Sequence, residues 1–259
     1  MNGASAVPPG ATGLADPAVV RAFATARRGV LDAIARACDR AGRDPASVRL
    51  VAVSKTVPAE RVRAAIAGGQ HLFGENRVQE VAAKVPAVGA GEWHLIGPLQ
   101  DNKVRRAAEA VDCVESVDSV GLARRLDRIV RELRDLPAAG NVPDDRRFPV
   151  FLQVNVDRDP GKAGFVPAAL SVALPELTAL GALRIDGLMT IGRLVDDSEA
   201  ARATFRSLRE LAEGARADAP ALGPELSMGM SDDYPVAVEE GATLVRVGRA
   251  LFGQRAAAP

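Results

Sequence analysis

The sequence has few of the residues that mark several common classes of protein. Its two cysteines, Cys38 and Cys113, are too few for a disulfide framework and lack metal-ligand spacing, which favours a reducing compartment. No apolar run reaches the roughly 20 residues that span a bilayer. The N-terminus has neither the basic region nor the apolar core of a secretory signal. We therefore predict a cytoplasmic protein without a membrane segment.

The sequence also has no excess of positive or negative charge, because 33 basic residues balance 33 acidic residues. Because no basic run is present either, we expect no nucleic-acid or polyanion surface. Lysine is scarce, with four lysines against 29 arginines. The two histidines, His71 and His94, have no cysteine or carboxylate at metal-ligand spacing, so we predict no metal site and interpret both as core or packing groups within strands.

The first residues differ in composition from the rest of the chain. Residues 1–17 are rich in Gly, Pro, Ala and Ser, and we predict that they form a disordered tail, with one domain over residues 18–259. Asp16 and Pro17 are typical of a helix N-cap followed by proline at the first helical position. Apolar residues then recur at helical spacing to about Ala41, and we expect this helix to cover one end or side of the fold.

From residue 49 onwards, strand-like and helix-like segments alternate. Eight strands, each followed by a helix, in about 200 residues are typical of a TIM-type (β/α)8 barrel. An open doubly wound sheet is the alternative, but no G-x-G-x-x-G follows the first strand. We predict an α/β fold, a single-domain barrel with an extra N-terminal helix, and a loop at residues 137–149. The strand-like runs begin near residues 49, 71, 92, 113, 150, 183, 225 and 244.

Lys55 ends the first strand-like run, and the strand ends of such a barrel carry its active site. Alternation places Val51, Val53 and Lys55 on one face, so Lys55 points into the barrel mouth if the valines point inwards. One hypothesis is a lysine that extends to solvent at a strand end. The other is imine chemistry, because the chain otherwise uses arginine for its cations and a desolvated lysine loses its proton readily.

The last strands contain two further features. Arg246 shares its face with Leu244 and needs a partner, which is either a salt bridge to a neighbouring strand or an electron-rich ligand atom at the barrel mouth. Residues 227–231 (SMGMS) are predicted to follow the seventh strand, and Gly248 and Arg249 the eighth. Loops in these positions often bind phosphate in barrel enzymes, although a helix cap is an alternative role for Ser231.

Several long motifs, in the same order, resemble those of the pyridoxal phosphate homeostasis protein family. The barrel of this family is similar to the N-terminal domain of alanine racemase. The resemblance covers nearly the whole chain from about residue 20 and implies that the protein binds pyridoxal 5′-phosphate (PLP). The motifs are VAVSKTVP (51–58), FGENRVQE (73–80), WHLIGPLQDNK (93–103), GLMTI (187–191), LSMGMSDDYPVAVEEG (226–241) and LVRVGRALFG (244–253).

The resemblance also implies roles for individual residues. Lys55 would hold PLP as a Schiff base, and Arg246 would approach the pyridine nitrogen. The other implied cofactor-binding residues are Asn76 beside the cofactor and, at the phosphate, Ser227 with backbone groups of Met228, Gly248 and Arg249. Members of the family are regarded as carriers or regulators in vitamin B6 homeostasis, so no catalytic residue is implied.

The chemistry of Arg246 agrees with a carrier. An arginine cannot give its proton to the pyridine, so the ring stays unprotonated and is a poor electron sink. Racemases with such an arginine use a further acid–base residue, typically a tyrosine from an additional β-domain. We expect that domain to be absent because the sequence ends at Pro259, and we interpret Tyr234, on the loop after the seventh strand, as incidental.

The predicted function is therefore that of a non-catalytic PLP carrier. A PLP-dependent amino-acid racemase and a regulator that acts by protein contact are the alternatives. The expected partners are PLP and apo forms of PLP-dependent enzymes. Without the β-domain that usually completes a racemase dimer, the protein is expected to be a monomer.

Overall fold

The computed structural model describes residues 15–137, 142–192 and 197–253. Its eight parallel strands form a closed barrel in which each strand pairs with the next and the last pairs with the first. This confirms the predicted TIM-type barrel. The strands are β1 (Arg49–Val53), β2 (Leu72–Glu75), β3 (Glu92–Leu95), β4 (Cys113–Val117), β5 (Phe148–Gln153), β6 (Leu183–Met189), β7 (Glu225–Met230) and β8 (Leu244–Val247).

Helices surround the barrel and connect its strands. No helix in the described ranges is long and apolar enough to cross a membrane. The segment interpreted as a loop before β5 contains a short 3-10 turn at Asp144–Arg146, and its residues 138–141 lie outside the described ranges. The α-helices are α1 (Pro17–Ala41), α2 (Ala59–Ala67), α3 (Val78–Val88), α4 (Val104–Ala110), α5 (Val120–Arg134), α6 (Pro167–Thr178), α7 (Arg202–Asp218), α8 (Tyr234–Glu239) and α9 (Arg249–Phe252).

Helix α1 begins as its sequence predicts. The Asp16 side chain accepts a hydrogen bond from the Ala18 backbone N–H at 2.8 Å, and Pro17 is the first helical residue. The helix packs against α2, α8 and α9, where the Phe23 and Phe252 rings lie 5.2 Å apart, so it covers the side of the barrel near β8 and β1. The predicted tail falls mostly on residues 1–14, which lie outside the described ranges, whereas Pro17 belongs to the helix.

Strand alternation divides the apolar residues into two layers. A cluster inside the barrel contains Val51, so this face of β1 points inwards, which is the condition on which the inward direction of Lys55 depends. Leu50 and Ala52 point the other way, into the larger layer between the strands and the helices. The members of the inner cluster are Val51, Leu72, Cys113, Phe151, Met189 and Leu244.

Strand boundaries near the candidate site differ from the sequence-based expectation. Strand β1 ends at Val53, so Lys55 lies in a turn two residues further on. The prediction that Ser227 and Met228 follow β7 is wrong, because β7 continues to Met230. The register between β7 and β8 shifts between Ser227 and Met230, and Gly229 has a φ of 89°. The register shift is a bulge within β7, and its glycine gives the sequence the pattern of a loop.

Two further interpretations also need correction. His71 precedes β2 and is exposed, so it is not a core residue within a strand. Tyr234 does not lie on a loop, because it begins α8 and is buried in the layer between strands and helices. In both cases the residue lies at the end of an element, where sequence patterns locate boundaries poorly.

Candidate functional site

Lys55 lies half-buried at the C-terminal end of the barrel, in the turn after β1. The next residue, Thr56, has a φ of 64°, a left-handed conformation that costs on the order of 1–3 kcal/mol in a β-branched residue. The Thr56 N–H donates a hydrogen bond to Glu80 Oε2 at 2.9 Å, and the Val57 N–H donates to the Ser54 carbonyl oxygen at 2.9 Å. These contacts hold the turn and fix the direction in which the chain leaves β1.

A buried polar cluster adjoins this turn between β1, β2 and α3. Glu75 Oε1 accepts hydrogen bonds from Ser54 Oγ at 2.7 Å and from Lys84 Nζ at 2.5 Å. Lys84 Nζ also donates to the Ser54 carbonyl oxygen at 2.7 Å. Burial raises the pKa of Glu75, and the hydrogen bond from Lys84 opposes that rise only in part. The cluster ties α3 to the residue before Lys55, and it was not predicted from the sequence. Lys84, one of only four lysines in the sequence, was the feature that could have pointed to this cluster.

Arg246 points into the barrel, where its side chain is 4% exposed. Its Nη1 donates to Ser227 Oγ at 2.5 Å, and its Nη2 donates to the Thr190 carbonyl oxygen, just beyond β6, at 2.7 Å. Glu115 Oε2 lies 3.9 Å from Nη1. Burial lowers the pKa of Arg246, and the charges of Glu115 and Asp233 oppose this, so the guanidinium stays protonated. Arg246 therefore has the partners that its buried position requires, namely two hydrogen-bond acceptors and the charge of Glu115.

The contacts of Arg246 continue through the barrel towards the N-terminal ends of the strands. Ser227 Oγ donates to Glu115 Oε2 at 2.5 Å, and Glu115 Oε1 lies 2.6 Å from His94 Nδ1. His94 Nε2 lies 3.0 Å from Glu92 Oε1. We call Glu92, His94, Glu115, Ser227 and Arg246 the interior network. Its members come from β3, β4, β7 and β8, and no local pattern in the sequence marks Glu92 or Glu115 as a site residue.

The charged members of the interior network alternate in sign. Burial by itself would lower the pKa of His94, but its hydrogen bonds to Glu115 and Glu92 raise it to about 9, so the imidazole is protonated at neutral pH. Burial by itself would raise the pKa of Glu115, but His94, Arg246 and Ser227 together lower it below its usual value. The hydrogen bond to His94 is the largest cause that lowers the pKa of Glu92 to about 2. Each buried charge thus has an opposite charge beside it.

The protonation of His94 predicts a loss of stability at high pH. Its pKa rises from 6.5 to about 9 on folding, so its contribution is complete below pH 6.5 and disappears as the pH rises through 9. The shift corresponds to about 3 kcal/mol in the free energy of unfolding. Urea unfolding across this pH range should show the loss in the wild type and in an exposed-site control, His71→Gln. The same pH dependence in His94→Gln would contradict the assignment.

The end of β8 approaches the ends of β1 and β7. A Cβ atom on Gly248 would lie 3.3 Å from the Val53 carbonyl oxygen, so glycine allows this close approach. The Gly248 N–H faces Ser231 Oγ at 3.3 Å, and Gly248 is followed by Arg249, the first residue of α9. The side chain of Arg249 forms an exposed ion pair with Asp232. Ser231, rather than Ser227, therefore lies beside the backbone that the sequence predicts for phosphate binding.

The remaining residues of the predicted site lie in different surroundings. Met228 is fully buried in the layer between strands and helices, so only its backbone is open to a role at the barrel end. Asn76 follows β2, is half-buried and lines a cavity of 630 Å³ at the C-terminal ends of β2 and β3. Lys103 lies on the same cavity. The structure thus places Asn76 at the same end of the barrel as Lys55.

A larger cavity of 1040 Å³ lies at the opposite end of the barrel. It contains the ion pairs Arg49–Glu92 and Arg184–Asp186, and no lysine is among its lining residues. In barrels of this type the reactive groups lie at the C-terminal ends of the strands. We therefore assign the candidate site to the end with Lys55. Over the described ranges, no group of three or more His, Cys, Asp or Glu residues could hold a metal ion.

Comparison with known proteins identifies the family of the chain. Residues 30–256 match the family described as alanine racemase, N-terminal domain. A pyridoxal phosphate homeostasis protein of Pseudomonas aeruginosa is 43% identical over 225 residues, covering 86% of this chain and 91% of the relative. The chain belongs to the pyridoxal phosphate homeostasis protein family. The resemblance recognised in the sequence motifs is thereby confirmed.

The chain is also similar to solved structures. PipY of Synechococcus elongatus, solved with PLP bound, is 42% identical, with a TM-score of 0.74 and coverage of 91% of this chain and 100% of PipY. Alanine racemase of Corynebacterium glutamicum is 16% identical, with a TM-score of 0.67 and coverage of 92% of this chain and 62% of the racemase. At that identity, the second likeness shows the fold alone.

Proposed function

We propose that this protein binds PLP at the C-terminal end of its barrel and acts in PLP homeostasis as a carrier without catalytic turnover. The observation that carries the proposal is the position of three groups at one end of the barrel. They are the Lys55 turn, the inward-pointing Arg246 and the Gly248 backbone beside Ser231. Membership of the pyridoxal phosphate homeostasis protein family and the PLP bound to PipY support it.

The residues at this end fit the parts of the cofactor. The Lys55 amine suits the aldehyde, and an Arg246 N–H suits the unprotonated pyridine nitrogen. The Ser231 hydroxyl and the backbone N–H groups of Gly248 and Arg249 suit the phosphate, which accepts hydrogen bonds. We propose Ser231 in place of Ser227 because Ser231 lies beside Gly248. When bound, PLP would supply an aldehyde that condenses reversibly with an amine and releases water, so Lys55 would hold it as a Schiff base.

The chain's own residues favour a carrier over a racemase. Because Arg246 keeps its proton, it cannot protonate the pyridine ring, which remains a weak electron sink. Tyr234, whose phenol would be the analogue of a racemase acid–base group, is buried between strands and helices. Burial raises its pKa, and the charge that opposes this is Arg36 of α1, on the outside of the barrel. Tyr234 is therefore unsuited to proton transfer at the barrel mouth.

The test is incubation of the PLP-loaded protein with L-alanine and other L-amino acids, followed by chiral chromatography. We expect the amount of D-enantiomer to equal that formed by a Lys55→Ala variant treated in the same way. An alanine racemase provides the positive control. Sustained turnover above the Lys55→Ala level would contradict the carrier and favour the racemase.

We propose that the protein is cytoplasmic and delivers PLP to apo forms of PLP-dependent enzymes. We also propose a monomer, because a closed barrel leaves no strand edge that a second chain must cover. We also propose that the chain forms one domain, which begins with the N-cap of α1 at Asp16.

A further inference from the structure

The hydrogen-bond partners of Ser227 determine where its proton lies. The residue is fully buried, and its hydroxyl has one proton and two lone pairs. Its neighbours are Glu115 Oε2 at 2.5 Å and Arg246 Nη1 at 2.5 Å. An ionised carboxylate only accepts and a guanidinium only donates, so the Ser227 proton must point to Glu115. The hydroxyl then has no proton for a phosphate oxygen, which is itself an acceptor.

Glu115 keeps this polarity because it is held in its charged form. It is fully buried, and each of its oxygens has a partner: His94 at Oε1 and Ser227 at Oε2. The imidazole is in turn held by Glu92 at 3.0 Å. A buried carboxylate with a protonated neighbour and a positive charge 3.9 Å away remains ionised. Ser227 Oγ therefore accepts the hydrogen bond from Arg246 Nη1.

We propose that Ser227 is a positioning residue for Arg246, which directs the guanidinium towards the pyridine nitrogen of PLP, and that it does not contact the phosphate. This inference rests on the proposed function, since it concerns the same site. The two acceptors of Arg246, Ser227 Oγ on β7 and the Thr190 carbonyl oxygen beyond β6, fix the plane of its fork. If one acceptor is lost, the guanidinium can rotate about its remaining hydrogen bond.

Pyridoxal, which has the ring and aldehyde of PLP but no phosphate, distinguishes the two roles. The dissociation constants of PLP and pyridoxal are measured by absorbance titration of the apo protein. Ser227→Ala should weaken both ligands by the same factor, about tenfold, as expected for one hydrogen bond to a charged group. Ser231→Ala, the matched variant on the phosphate side, should weaken PLP about tenfold and leave pyridoxal within about twofold.

Loss of PLP affinity alone in Ser227→Ala would make Ser227 a phosphate ligand and overturn the proposal. Unchanged constants for both ligands, with a lower unfolding temperature by circular dichroism, would show a purely structural role and also overturn it. Glu115→Gln, which keeps the side-chain volume, serves as a second variant. This variant should also weaken the binding of PLP and pyridoxal by the same factor. A neutral glutamine no longer forces the Ser227 proton to point away from Arg246. If the wild type binds neither ligand, the proposed function itself fails.

Discussion

A Lys55→Ala variant is expected to stay folded and to lose all covalently bound PLP. The imine needs an amine at the barrel mouth, and Lys55 supplies it from the turn after β1. The residue belongs to neither apolar cluster, so its truncation should change the free energy of unfolding by less than about 1 kcal/mol. Borohydride reduction of the PLP-loaded protein, followed by peptide mass spectrometry, should find the pyridoxyl group on Lys55 in the wild type and on no lysine in the variant.

The control for this experiment is Lys103→Ala. Lys103 lies on the cavity beside Asn76, at the same end of the barrel, so it tests whether any nearby lysine suffices. We expect this variant to keep the label on Lys55. A wild-type amount of label on Lys103 or Lys84 in the Lys55→Ala protein would move the attachment point. Loss of the folded circular dichroism spectrum in Lys55→Ala would show that the turn needs the lysine for structure.

The barrel could be predicted from the sequence because its signals are local. A strand buried on both faces and a helix with one apolar face differ in periodicity over a few residues. Alternation likewise grouped Val51 with Lys55 and Leu244 with Arg246, and the structure places Val51 and Leu244 in the inner cluster. These inferences need only the residues on either side.

The interior network could not be predicted, because its contacts join residues that are far apart in the chain. Ser227 and Glu115 are separated by 112 positions, and Arg246 meets Thr190 across 56. Spacing carries no information over such distances. Local pattern also failed at the β7 bulge, where Gly229 suggested a loop although β7 continues to Met230. The residues that could not be predicted are therefore those that become neighbours only when the barrel closes.

Arg246→Met is expected to cause the largest loss of stability that we predict for a single substitution. The change removes the only donor that the structure describes for Ser227 Oγ, leaves the Thr190 carbonyl without this hydrogen bond and takes away a positive charge beside buried Glu115. Breaking a buried ion pair from one side typically costs about 3–5 kcal/mol, a large part of the roughly 5–15 kcal/mol that stabilises a domain. Urea unfolding of the apo protein measures this loss without any contribution from PLP.

Arg105→Met provides the matched control, because Arg105 pairs with Glu132 at the surface, where both side chains are more than 40% exposed. This variant should lose less than about 1 kcal/mol. A combined Arg246→Met and Glu115→Gln variant should recover part of the loss, because the buried carboxylate is then neutral as well. It should also show a smaller pH dependence than the one assigned to His94, because Glu115 is one of the two carboxylates that raise the pKa of that imidazole. Equal losses in Arg246→Met and Arg105→Met would mean that the interior network does not stabilise the barrel as a chain of charges.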